Sequence, residues 1–190
     1  MRVVYRRSFP ALFTAALAVA AIGLSGQSFA QGVKTVGGAP MYPSQNIVQN
    51  AVNSKDHTTL VTAVKAAGLV DTLQTAGPFT VFAPTNKAFG KLPAGTVETL
   101  VQPQSKATLT SVLTYHVVPG RYTAKELMAL AKKSGGEAEL KTVQGGTLAV
   151  ITKGKGVFVA DNKGNTARVT VADVMQSNGV IHVVDTVMMP

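Results

Sequence analysis

The apolar residues of this chain change their spacing partway along it. Up to Lys133 most recur at helical intervals; from Glu139 they alternate with polar neighbours or fill short continuous runs. Asn46 precedes a short helical run bearing Ile47, Val48 and Val52. Asp56 is placed to cap a clearer helix with Leu60, Val61, Val64 and Ala67 along one face and Gly68 as its stop, and residues 69–75 add a further turn or two. Residues 96–101 predict another short helix. A better one starts at Ser105, with Leu109, Val112, Leu113 and His116 at helical spacing. Thr123-Ala124-Lys125-Glu126 fits a capping box, so Thr123 begins a helix carrying Leu127 and Leu130 that ends at Ser134-Gly135-Gly136.

Beyond that point residues 140–143, 147–152, 157–160, 167–172 and 180–188 are rich in Val, Ile, Thr and Leu. Turn chemistry separates them at Gly145-Gly146, 153–156, 161–165 and 176–179. One strand comes earlier, in residues 77–93, GPFTVFAPTNKAFGKLP. There Phe79, Val81 and Ala83 alternate with Thr80 and Phe82, Pro84 stops the ladder, and Thr85 caps a short helix with Ala88, Phe89 and Leu92 turned beneath the strand. The last run is apolar on both faces, with Val180 and Val184 on one and Ile181, Val183 and Val187 on the other. Such a strand lies centrally and is covered on both sides. The strand at 79–83 has the same character, so the two are expected to pair. Helices first and strands afterwards predict an α+β domain with a largely antiparallel sheet.

Composition narrows the class. Hydrophobic residues make up 46% and charged ones 14%, the balance of a globular domain. Aromatics are 6% with no Trp, which disfavours a nucleic-acid stacking platform. The chain has no Cys, which excludes disulfides, thiolate metal sites and a cysteine nucleophile. Residues 1–30 have the form of a signal peptide: Arg2, Arg6 and Arg7, an apolar stretch at 11–24, then Ser28-Phe29-Ala30 as a cleavage site. That apolar stretch is short for a membrane span, so cleavage after Ala30 and no span in the mature protein are expected. RRSF at 6–9 partly resembles a twin-arginine signal; the ordinary secretory route is the default. Removing those three arginines from the eighteen basic residues leaves fifteen against nine acidic, a net +6 scattered over the chain. Residues 31–45, QGVKTVGGAPMYPSQ, read as a flexible linker, and 46–190 as a single domain that acts as a monomer. The expected destination is the periplasm or the extracellular surface.

The candidate chemistry is sparse. His57, His116 and His182 have no ligand spacing between them, and no cofactor or metal is expected. His182 and Asp185 are three apart along a strand and face opposite ways, so they cannot form a base and its orienting acid. The mature part contains neither G-x-S-x-G nor a P-loop, and KGKG at 153–156 reads as a hairpin turn.

Three segments in order carry a family resemblance: residues 77–93, then YHVVPG at 115–120, then SNGVIHVVDTVMMP at 177–190. They resemble the signature segments of the fasciclin domain, an extracellular adhesion module, and the likeness covers about 46–190. It implies a fasciclin-like β-wedge or sandwich of two mostly antiparallel sheets, with several helices from the N-terminal half packed around it. It also implies a non-catalytic adhesion or binding module whose partner is a surface or matrix protein or glycan, not nucleic acid. The family's adhesive segments map here to Tyr115 and His116, flanked by Leu113, Val117 and Val118, and to Asp173-Val174-Met175, where Val stands for the usual Ile. Each has a structural reading beside it. Tyr115 and His116 equally suit a buried helix–strand junction, and Asp173 a turn residue bonding its own backbone. Two other functions stay open at this point: an exported hydrolase using Ser or Asp with His116, and an envelope protein that associates with itself.

Overall fold

The computed structural model describes residues 32–190, so the expected signal peptide and the expected cleavage after Ala30 lie outside the described residues. Its first element is a hairpin, β1 (Lys34–Val36) with β2 (Ala39–Met41). The linker expected over 31–45 is therefore corrected: Val36 and Met41 are buried, Lys34 Nζ donates to the Ala172 carbonyl, and the Lys55 N–H donates to the Gly37 carbonyl at 3.2 Å. A Cβ on Gly37 would stand 2.4 Å from Ser54 Oγ, so the turn approaches the body of the domain too closely for any side chain.

α1 (Ile47–Ala51) opens with a capping box between Asn46 and Gln49. α2 (Thr58–Ala67) follows a 3₁₀ turn, Lys55–His57. The expected cap at Asp56 gives way to Ser54, which leads into that turn and places its hydroxyl 2.8 Å from His57 Nδ1. Gly68 ends α2 at φ 73°, and α3 (Val70–Gln74) continues the chain. After β3 (Phe79–Pro84), Thr85 caps α4 (Asn86–Phe89) through the Ala88 N–H. Then come α5 (Thr96–Leu100), α6 (Lys106–Tyr115), β4 (Val117–Pro119) and α7 (Ala124–Lys133), the last with the capping box of Thr123 and Glu126.

The strands β5 (Glu137–Lys141), β6 (Thr147–Lys153), β7 (Gly156–Ala160), β8 (Thr166–Gln176) and β9 (Gly179–Val184) complete a sheet ordered β4-β3-β9-β8-β7-β6-β5. The expected pairing of the early and late apolar strands is found: β3 and β9 run parallel, and every other neighbour pair is antiparallel. The two sheets of the wedge are two halves of this order. The eleven-residue β8 belongs to both, and irregularities between Val169, Val171 and Val174 bend it from one to the other. The Val143 N–H donates to the Val117 carbonyl at 2.8 Å, bringing the segment after β5 back to β4 and nearly closing the sheet.

β9 is buried along its whole length because both faces are covered. One core lies between the helices α1–α6 and the sheet and includes Leu60, Val64, Val81, Leu113 and Ile181. The other lies inside the bend, where Phe82, Tyr115, Leu127, Leu148 and Val184 meet. At the start of β9, a Cβ on Gly179 would stand 2.1 Å from the Phe79 carbonyl oxygen, so the parallel pair closes only around glycine.

Candidate functional site

α6 runs into β4 with its apolar face toward the sheet, and that direction decides the fate of Tyr115 and His116. Tyr115 is fully buried and donates its hydroxyl to the Thr147 carbonyl at 2.6 Å. His116 caps the end of α6, also buried. Its Nδ1 lies 2.8 Å from the Val112 carbonyl and its Nε2 3.1 Å from the Met188 N–H. A carbonyl only accepts and an amide only donates, so the proton sits on Nδ1 and the lone pair on Nε2. Burial pushes the His116 pKa down to about 4, so the ring is neutral at pH 7. The pair is a brace between α6, β6 and the C-terminal segment. Of the two readings left open for Tyr115 and His116, the buried helix–strand junction is the one found: Leu113, Val117 and Val118 around them are core residues too.

His182 makes the mirror arrangement. Its Nε2 lies 2.8 Å from the Tyr122 carbonyl, and its Nδ1 accepts from the Asp173 N–H at 3.3 Å. The proton therefore sits on Nε2. Its ring stacks on Phe82, centroids 5.7 Å apart, and burial lowers its pKa. As expected, Asp185 faces elsewhere: its Oδ1 accepts from the Arg168 N–H at 2.9 Å, and its other oxygen lies 3.7 Å from Lys91 Nζ.

Asp173 is not in a turn. It sits inside β8 at φ 55°, where the bulge puts a non-glycine residue in the left-handed region. Its Oδ1 accepts from the Ala124 N–H at 2.7 Å and so helps to start α7. Asp173 and Met175 are half-buried and face outward, while Val174, at 1% exposure, points into the core. Of the five residues singled out, the structure brings Tyr115, His116 and Val174 inside and leaves Asp173 and Met175 at the surface. Replacing Asp173 by alanine removes the bond to Ala124 and leaves a Cβ at positive φ; the expected loss is about 1–2 kcal/mol. Asp173→Gly keeps the backbone comfortable and should lose less. Urea denaturation of both variants checks the order, and equal losses would mean that the bulge carries no strain.

Several polar residues that the sequence did not single out tie distant segments together. Asn178 donates to the Leu73 and Thr75 carbonyls at 2.8 and 3.0 Å and accepts from the Ile47 N–H at 3.0 Å, tying α1 and α3 to the β8–β9 turn. Asn50 bonds both to the Tyr42 backbone and to the Gln176 side chain, fastening the segment after β2. Asp161 accepts from the Met189 N–H at 3.0 Å and anchors the C-terminal segment. The turn chemistry at 176–179 signalled Asn178 only as a local turn residue, and nothing in the sequence signalled Asn50. An open surface groove of about 690 Å³ is lined by Asn46, Gln74, Pro78, Arg121, Ser177 and Asn178. Among the described residues, no three His, Asp or Glu side chains stand close enough together to hold a metal. No described helix is long and apolar enough to cross a membrane.

The model of the fasciclin domain family matches residues 55–190. Protein sll1483 of Synechocystis is 44% identical over 93% of this chain and 98% of that protein. The cell surface glycolipoprotein MPB83 of Mycobacterium bovis is 34% identical over 93% of this chain and 77% of its own. Among solved structures, the FAS1 domain pair of the insect cell adhesion molecule fasciclin I superposes with a TM-score of 0.66 at 22% identity. That match covers 75% of this chain and 50% of that one, and at this identity the likeness is one of fold.

Proposed function

The chain belongs to the fasciclin domain family, and from that premise we propose that it is an exported, non-catalytic binding module acting as a monomer on a surface or matrix protein or glycan. The observation that supports this most is the state of the polar residues that an enzyme would need. The rings of His116 and His182 are neutral and spend both nitrogens on backbone groups, and Asp173 spends a carboxylate oxygen on Ala124. What faces outward is suited to contact: the acid and thioether of Asp173 and Met175 and, two residues on, Ser177 in the lining of the groove that Arg121 also borders. Val174 lies in the core beneath that face, and Tyr115 and His116 brace α6, β6 and the C-terminal segment. The name of the mycobacterial relative, a cell surface glycolipoprotein, agrees with export.

The test is capture from an envelope fraction with the purified chain as bait, compared with Asp173→Asn, Met175→Ala and Arg121→Ala. A contact surface loses its captured partner in steps, each substitution weakening it by about threefold to thirtyfold. Capture unchanged by all three, with folding intact, would remove this face from the proposal. Turnover of a substrate abolished by one polar substitution would replace the binding reading with an enzymatic one.

A further inference from the structure

Basic residues far apart in the chain are gathered at the C-terminal end of α7. The helix closes on Lys132 and Lys133, and the β6–β7 turn carries Lys153 and Lys155. Backbone hydrogen bonds hold the two segments side by side. The Gly135 N–H donates to the Lys132 carbonyl at 3.3 Å, and the Thr152 N–H donates to the Gly136 carbonyl at 3.3 Å. The turn therefore stands beside the helix end, and all four lysines are exposed.

The basic band continues across the outer face of the sheet. Register sets Lys153 opposite Gly156, and the half-exposed Phe158 opposite the exposed Arg168. A Cβ on Gly156 would stand 3.0 Å from the Phe158 ring, so the missing side chain lets the ring lean over that position. Lys153 Nζ lies over the same ring, 5.7 Å from its centre. An aromatic ring thus sits between cations on β6 and β8, strands about 10 Å apart at the usual spacing. Carboxylates are sparse here. Glu137 stands opposite Ile151, two residues from Lys153, and among the described residues no ion pair joins it to a basic side chain. Asp185 accepts from the Arg168 N–H and faces Lys91. The band keeps an excess of positive charge.

These cations are exposed and spread in a line, an arrangement that suits an extended polyanion rather than a small ion in a cradle. The large apolar side chains most exposed among the described residues, Val33, Tyr42, Val52 and Val143, lie outside the band, so it has no anchor to sink into a lipid surface. What it has is a flat ring beside its charges. A uronic acid matches that pair: the CH groups on the face of its sugar ring pack on an aromatic ring, and its carboxylate meets the cations. We infer that the band binds an acidic polysaccharide, its carboxylates along the lysines and Arg168 and a sugar ring on Phe158. Asp173 bonds the first turn of α7, at the other end of that helix, so this site is separate from the surface at Asp173 and Met175 and stands or falls independently of it.

Titration calorimetry of the purified chain with polygalacturonate tests the assignment. Polyglutamate serves as a carboxylate polymer without sugar rings, and phosphatidylglycerol vesicles as an anionic lipid surface. The expected result is saturable binding of polygalacturonate, tighter than either counterpart and weaker as salt rises. Lys153→Glu with Lys155→Glu should weaken it by about tenfold or more. Lys55→Glu with Lys87→Glu makes the same change of net charge at exposed residues outside the band and should weaken it by about twofold or less. Phe158→Ala should weaken polygalacturonate by about fivefold and leave polyglutamate unchanged. If Phe158→Ala does not fold, Phe158→Leu keeps the apolar bulk without the flat ring. Absence of saturable binding, or equal losses from the two charge reversals, overturns the site. Polyglutamate or vesicles bound as tightly as polygalacturonate, or a folded Phe158 variant that binds it like the wild type, overturns the assignment of a sugar polymer.

Discussion

Tyr115→Ala is expected to destabilise the protein by about 3–5 kcal/mol, the loss typical of truncating a large aromatic ring in a packed core. The ring is fully buried against Phe82, Val118, Leu127 and Leu148, and a Cβ added at Gly146 would stand 2.8 Å from it. It fills its space with little room for the surroundings to collapse. Tyr115→Phe removes only the hydroxyl that donates to the Thr147 carbonyl, so about 1–2 kcal/mol is expected. Urea denaturation of the two variants separates packing from the hydrogen bond. A loss below about 1 kcal/mol for the alanine variant would place Tyr115 at the surface, where an adhesive role would have it.

The second large effect is acid destabilisation. His116 has its pKa lowered from 6.5 to about 4, first by burial, with the Val112 carbonyl opposing. The folded state therefore binds fewer protons than the unfolded chain between those two values. The contribution is complete above about pH 6.5, is lost as pH falls toward 4, and is constant below. At about 1.4 kcal/mol per pH unit this amounts to about 3 kcal/mol from His116 alone. His57 and His182 are also lowered by burial and steepen the loss in the same direction. Stability measured in urea at intervals from pH 7.5 to 4 should fall along that window. In His116→Gln, less stable at neutral pH, the fall should be shallower. A wild-type profile flat from pH 6.5 to 4.5 would mean that these rings titrate as they do in water.

Much of the fold was legible because it rests on local signals. The caps at Asn46, Thr85 and Thr123, the stop at Gly68 and the change of period after Lys133 all lie within a turn or two of what they control. The doubly apolar run from Val180 announced a central strand because burial on both faces leaves no room for alternation. The β1–β2 hairpin was invisible for the opposite reason. Its three-residue strands each turn only one clearly buried side chain inward, Val36 and Met41, which is too few to show a period.

Asp173 was misplaced because the bulges in β8 shift the inward and outward positions, so the strand's pattern fades where Asp173 stands. Burial of Tyr115 and His116 could not be settled from their neighbours, since aliphatic flanks suit a core junction and a sticky surface equally. Only distant partners decide it. Met188 bonds His116 from 72 residues away, and Tyr122 bonds His182 from 60. Such partners are set by the closed sheet and leave no mark in the local sequence.

The most direct measurement of whether the Tyr-His and closing segments are internal braces is a two-bond nitrogen–proton correlation spectrum of the histidine rings at pH 6. Braced rings give His116 as the Nδ1–H tautomer and His182 as the Nε2–H tautomer, each neutral and fixed. Rings on an open adhesive surface give averaged tautomers, partly protonated at that pH, and that result would contradict the structural role assigned to both.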